Sequence, residues 1–164
     1  MLFPTLDYIF FLPIVIILFW MVPWRWRLSV LGMASLFFYG SWSLLYLPLL
    51  LGVCIAAWVL SYWVYQKSTS KWKMTLSIFV LFIPLLIFKY SKWLIWNVNQ
   101  ISSWFGHPFD IPTTNVALPV GISFFTFQAV AYLVDAYREN EPTRNPWKFF
   151  TFLAFFPQLV AGPI

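Results

Sequence analysis

The chain of 164 residues is 62% hydrophobic and only 9% charged, against about a quarter charged in an ordinary soluble domain, so the composition excludes a soluble globular domain. Its net charge of +5 is carried by basic residues standing singly or in short groups between apolar runs; this is the positive-inside pattern of membrane proteins and argues against nucleic acid as a partner. A single cysteine, Cys54, excludes an internal disulfide and reads as a small buried hydrophobe.

In chain order, Tyr8 to Trp24 is uncharged and broken only by Pro13 and Pro23, with Arg25 and Arg27 after it. Asp7 precedes it and no small-residue cleavage site ends it, so it reads as a retained membrane span over 8–24 rather than a signal peptide. The 39 uncharged residues between Arg27 and Lys67 are too many for one crossing of about twenty. Gly40, Ser41, Trp42, Ser43 and Pro48 supply turn formers and an interfacial ring, which predicts two spans, 28–45 and 47–66. With that split, eight basic residues fall on one side of the membrane and two, Lys89 and Lys92, on the other; without it the division is six to four. The hairpin, with the N-terminus outside, fits the positive-inside rule better.

A further span is predicted over 74–88, with a kink at Pro84. The stretch 92–105 places Leu94, Val98, Ile101 and Phe105 on one stripe and predicts an interfacial helix lying in the membrane plane. Gly106 to Asn115 is a loop holding the only histidine, His107, which lacks the convergent partners that catalysis or metal binding needs. The next span, 116–135, lies in ALPVGISFFTFQAVAYLVDAYR. On a helix, Gly121, Phe125, Gln128, Tyr132 and Asp135 fall within about 40° of one line, giving a polar face that lipid cannot satisfy. Asp135 and Arg138, three apart, are spaced to pair at the membrane surface. Asn145 followed by Pro146 predicts a helix start. The last segment, 147–164, is interrupted at Pro157 and Gly162-Pro163 and predicts a bent or re-entrant helix. An end within an apolar stretch reads as truncation. The expected architecture is thus an all-α integral membrane protein, a polytopic helical bundle of about five or six membrane segments. No nucleotide-binding loop, metal motif or complete catalytic constellation is present.

The residues LPVGISFFTFQ with the following LVDAYR, together with MLFPTLDYIFFLPIV, SLFFYGSW, IFKY and FFPQLVAGPI, resemble the membrane-bound O-acyltransferase family. The closest branch is the alginate-type polysaccharide O-acetylases, and the resemblance covers essentially the whole chain. It implies the N-terminal part, 1–164, of a single larger membrane-bound acyltransferase domain in the bacterial inner membrane. That domain would be shaped around a tunnel through which an acyl group passes from a donor, acetyl-CoA or another activated carrier, to hydroxyls of an exported polysaccharide. D-alanyl transfer and peptidoglycan or other envelope acylation are alternatives within the family. Acetylation partner proteins on the outer side are implied as well.

No residue here matches the family's catalytic histidine motif. The chain therefore carries no catalytic residue of its own in this reading, and His107 does not inherit the role; the fragment alone is expected to be inactive. Gly121, Gln128, Tyr132, Asp135, Arg138 and Gln158 are the candidate tunnel-lining residues, and no metal site or resident cofactor is expected. The competing reading of Gln128, Tyr132 and Asp135 is glue between helices. A transporter fragment and a non-catalytic membrane scaffold are the readings from other classes, though no internal repeat supports the former.

Overall fold

The computed structural model describes residues 6–65, 71–104, 118–138 and 141–161. Among these the chain is helical, with no strand: α1 Leu6–Met21, α2 Trp24–Trp42, α3 Leu47–Val64, α4 Lys71–Trp104, α5 Ile122–Tyr137, α6 Pro146–Leu153 and α7 Phe156–Ala161. Two stretches, Leu44–Val64 and Lys71–Ser91, are long and apolar enough to cross a membrane, and Tyr8–Met21 and Ile122–Tyr137 are shorter apolar helices.

Local sequence explains most boundaries. α1 tolerates Pro13 internally but ends ahead of Pro23, whose extended backbone (φ −56°, ψ 151°) then caps α2. Arg25 and Arg27, expected in a loop, therefore sit in the first turn of α2. The turn expected between Gly40 and Pro48 is present: Ser43 is extended, a single 3₁₀ turn covers Leu44–Tyr46, and Pro48 lies in the first turn of α3, where its missing N–H costs nothing.

The in-plane helix expected over 92–105 is not separate from the preceding span. α4 runs without interruption through 34 residues from Lys71 to Trp104, with Pro84 inside it. No Gly or Pro stands between Pro84 and Trp104, so nothing in the backbone stops the helix. α5 starts later than the expected 116, because Gly121 has a left-handed backbone (φ 75°) and caps the helix from outside. A Cβ at Gly121 would collide with the carbonyl oxygen of Leu159, so this position needs glycine for both its backbone and its space. The last segment does bend: α6 ends at Leu153 and α7 begins at Phe156 with Pro157 in its first turn.

α3 is the centre of the bundle and packs against α4, α5 and α6. Its buried residues Leu50, Val53, Cys54, Ala57, Ser61 and Val64 form one helical stripe, and Ile122, Phe125, Thr126, Ala129, Leu133 and Ala136 do the same on α5. Small residues on both stripes let backbones approach closely. A second, smaller cluster joins Val15 of α1, Ala34 and Phe38 of α2 and Phe156 of α7, with Phe156 edge-on to Phe11 at 5.2 Å. α2 also meets α6 at Gly32, where a Cβ would reach the Thr151 hydroxyl at 2.9 Å. The outward face of α1, including Ile9, Phe10, Ile14, Ile16 and Ile17, is exposed.

Candidate functional site

The polar face anticipated on α5 meets two different surroundings. Near its N-terminal half, Gln128 donates from Nε2 to Gln158 Oε1 on α7 (3.3 Å) and, at a long 3.5 Å, to the carbonyl of Phe152 on α6. A carbonyl can only accept, so Phe152 sets which way the Gln128 amide points. The other amide atom, Oε1, is buried without a hydrogen-bond partner, as is the hydroxyl of Thr126, a fully buried residue on the same helix. An unsatisfied buried acceptor costs about 1–3 kcal/mol. Amides neither take up nor release protons at ordinary pH, so this pair can orient a polar group but cannot act as an acid or base.

Towards the C-terminal end of α5, Tyr132 serves the loop that follows. Its hydroxyl accepts from the Thr143 backbone N–H at 2.7 Å. From α3, Trp58 Nε1 (2.9 Å) and the Tyr62 hydroxyl (3.0 Å) both donate to the Thr143 carbonyl. Both polar groups of one peptide residue are thereby held by three aromatic side chains from two helices. Two residues later Asn145 Oδ1 accepts from the N–H groups of Trp147 (2.9 Å) and Lys148 (3.2 Å), closing the first turn of α6 as its sequence predicted. The loop between α5 and α6 is thus fixed at Thr143 and Asn145, which positions α6 and through it the Gln128–Gln158 contact.

Of the six residues singled out from sequence, Gln128 and Gln158 come together, Gly121 lies against Leu159 of the same α7, and Tyr132 contacts the loop. Asp135 and Arg138 do not join them. Both are exposed, and among the described residues the one ion pair is Arg144 with Glu141, not Asp135 with Arg138. Arg138 still closes the last turn of α5, its N–H bonded to the Val134 carbonyl at 3.0 Å, so the spacing permits the pair, but at an exposed helix end an ion pair gains too little to hold two long side chains together. His107 lies outside the described residues. Cys54 is buried, as expected, and borders an apolar cleft of 270 Å³ between α3 and α6 lined by Leu51, Ile55, Trp58, Trp147 and Phe150.

Trp58 and Tyr62 escaped the sequence reading, although their i, i+4 spacing put two polar-tipped rings on one side of α3. Thr143 could not be found that way, because it contributes only backbone.

Comparison with known proteins gives the site its context. The chain is 36% identical over 94% of its length to a protein of Azotobacter vinelandii named as a probable alginate O-acetylase, and 37% identical over 94% to one of Pseudomonas putida with the same name. It is also 35% identical, over 82% of its length, to a peptidoglycan O-acetyltransferase of Helicobacter pylori. The matched region is 32%, 33% and 30% of these three proteins, so the chain spans about a third of the length of the curated relatives it matches. No protein-family profile matches the chain, and no solved structure does. By sequence the chain is thus similar, along about a third of their length, to bacterial proteins named as probable alginate O-acetylases and as a peptidoglycan O-acetyltransferase.

Proposed function

We propose that the chain is the N-terminal part of a multi-pass O-acyltransferase of the bacterial inner membrane that moves an acetyl group to hydroxyls of an exported polysaccharide such as alginate. The observation that carries this is the 36% identity along 94% of the chain to a protein named as an alginate O-acetylase. In this reading the chain contributes five or six membrane segments with the N-terminus outside and the basic loops inside. The donor is acetyl-CoA or another activated acyl carrier, and acetylation partner proteins meet the enzyme on the outer side.

In this reading Gly121, Gln128 and Gln158 form part of the tunnel wall, supported by the contact of Gln128 with Gln158 and of Gly121 with Leu159 on the same α7. Tyr132 acts indirectly, by holding Thr143. Asp135 and Arg138, exposed at the end of α5, would line the tunnel at its end, where a charged part of the donor could meet them. The base that takes the acceptor proton is not among these residues, and such a base typically supplies about 10²–10⁴-fold in rate. A second reading, acetylation of peptidoglycan, is favoured by the 35% identity to the Helicobacter pylori protein.

The test is a chimera in which this chain replaces the matching third of the Azotobacter vinelandii relative, in a host lacking its own alginate acetylase. Restored acetyl esters on alginate are expected. A chimera that accumulates normally in the membrane yet acetylates only peptidoglycan would transfer the assignment to the second reading, and one that acetylates neither would reject both. In the active chimera, Gln128→Leu separates wall from glue: lost transfer at normal abundance supports the wall, whereas lost accumulation supports glue.

A further inference from the structure

α2 turns one buried face, Gly32, Ser35 and Tyr39 at i, i+3 and i+7, towards the elements that build the candidate site. Gly32 lies against Trp147 and Thr151 of α6. The Tyr39 hydroxyl donates to the carbonyl of Val120 at 3.4 Å, in the turn just ahead of α5. Between them Ser35, wholly buried, accepts at Oγ from the backbone N–H of Phe156, the first residue of α7, at 3.2 Å.

A serine hydroxyl has one proton and two lone pairs. That of Ser35 gives its proton to the Leu31 carbonyl one turn back (2.9 Å), so its lone pairs remain for Phe156. The buried hydroxyls of Ser61 and Ser77 also donate within their own helices, to the carbonyls of Trp58 (2.7 Å) and Lys73 (2.8 Å). α7 needs help from outside itself, because a helix leaves its first N–H groups without acceptors of its own. Here Pro157 has no N–H, and Gln158 and Leu159 share the Phe155 carbonyl at 3.0 and 3.1 Å. That leaves the N–H of Phe156, and Ser35 answers it. The Phe156 ring is held at the same place, 5.7 Å from that of Phe38 on α2. Two residues on, Gln158 accepts from the Gln128 amide, and Leu159 sets its carbonyl against Gly121.

We propose that Ser35 is a positioning residue for acyl transfer: by fixing the start of α7 it sets where the Gln158 amide and the Leu159 carbonyl stand against α5. The effect on transfer rests on the reading of Gln128 and Gln158 as tunnel wall, whereas the hold on α7 does not.

Threonine and valine share one branched shape and differ only in the hydroxyl, so comparing them at position 35 cancels the cost of added bulk. In the active chimera, Ser35→Thr should transfer acetyl about ten-fold faster than Ser35→Val at equal abundance, because valine leaves a buried N–H without an acceptor. Should that pair fail to accumulate, Ser35→Ala, which adds no bulk, repeats the comparison against the unmodified chimera. Ser77→Ala, which removes a buried hydroxyl that donates within its own helix, should keep transfer within about two-fold. Amide exchange followed by mass spectrometry on the whole chain in detergent reads the hold directly. Residues 154–159 should exchange about ten-fold faster in S35V than in S35T, with residues 50–57 of α3 unchanged. An inactive parent chimera would reject the acyl-transfer reading and leave exchange to decide the hold on α7. Equal transfer by the two variants would overturn the role in transfer. Equal exchange, or acceleration of both segments alike, would overturn the hold itself.

Discussion

Two regions of this molecule use aromatic side chains around a polar group in opposite ways. At Thr143, Trp58, Tyr62 and Tyr132 present N–H and O–H groups, and both polar atoms of the residue's backbone are bonded at 2.7 to 3.0 Å. At Arg27, Phe19, Trp20 and Trp24 present ring faces, and Nε is left without a partner. The first arrangement is complete within the chain and belongs to the tightly packed α3–α5–α6 side. The second is open, on a hairpin whose outer face is exposed and apolar. At Thr143 the chain's own atoms satisfy every backbone polar group, whereas at Arg27 they stabilise the charge and leave one buried donor unmet.

If that contrast is right, substitutions should hurt far more on the closed side. The largest effect is expected for Leu50→Ala. Leu50 is wholly buried in the main core cluster, and truncation should cost about 2–5 kcal/mol, read as a lowered midpoint in a denaturant titration in detergent. Gly121→Ala should cost a similar amount, because the left-handed backbone alone costs about 1–2 kcal/mol and the Leu159 carbonyl must also move. A midpoint unchanged in both variants would mean that the α3–α5 side is not the stable part of the fold.

Next comes the clamp. Trp58→Phe or Tyr62→Phe alone leaves the Thr143 carbonyl one good donor, so each should cost no more than about 1 kcal/mol. The double variant strips both, and its cost should exceed the sum of the singles. Simple additivity would show that the two donors do not share the carbonyl. On the open side, Ile17→Ala should shift the midpoint by no more than about 0.5 kcal/mol, because the exposed side chain exchanges detergent for detergent. A loss near that of Leu50→Ala would show that the hairpin's outer face is packed rather than open.

The same contrast governs what could be read from the sequence. Features written in local residue chemistry were legible: the α2–α3 turn from Gly40 to Pro48, the Asn145–Pro146 helix start, and the break before Pro157. The polar face of α5 was legible from its spacing, and it led to the Gln128–Gln158 contact. Features that depend on which way an exposed side chain turns, or on backbone atoms, were not. Arg138 has the spacing to pair with Asp135 and caps the same helix, yet both side chains are exposed and make no ion pair with each other. Backbone acceptors such as the Thr143 carbonyl carry no side-chain signature at all, and the ring box around Arg27 needs a hairpin geometry that residue spacing does not encode. The stripe over 92–105 was real as a pattern, but a stripe alone does not end a helix.

The smallest expected effect tests whether the loop at Thr143 is held by its neutral clamp or by charge. Glu141 accepts from Arg144 Nε and Nη2 at 3.1 and 2.8 Å, and this hydrogen bond, reinforced by the charge attraction, raises the guanidinium pKa above its ordinary value. A raised arginine pKa is stability fully present below the ordinary arginine range and lost only as pH climbs beyond it, so between mild acid and mild alkali it contributes no slope. The side chains are also 85% and 57% exposed, where solvent and salt screen the pair. Glu141→Gln should therefore leave the midpoint of unfolding unchanged at low and high salt, while the Trp58/Tyr62 double variant lowers it at both. A Glu141→Gln shift as large as that of the double variant, shrinking as salt is added, would reverse the assignment: charge would be holding the loop, and the three aromatic groups would be following it.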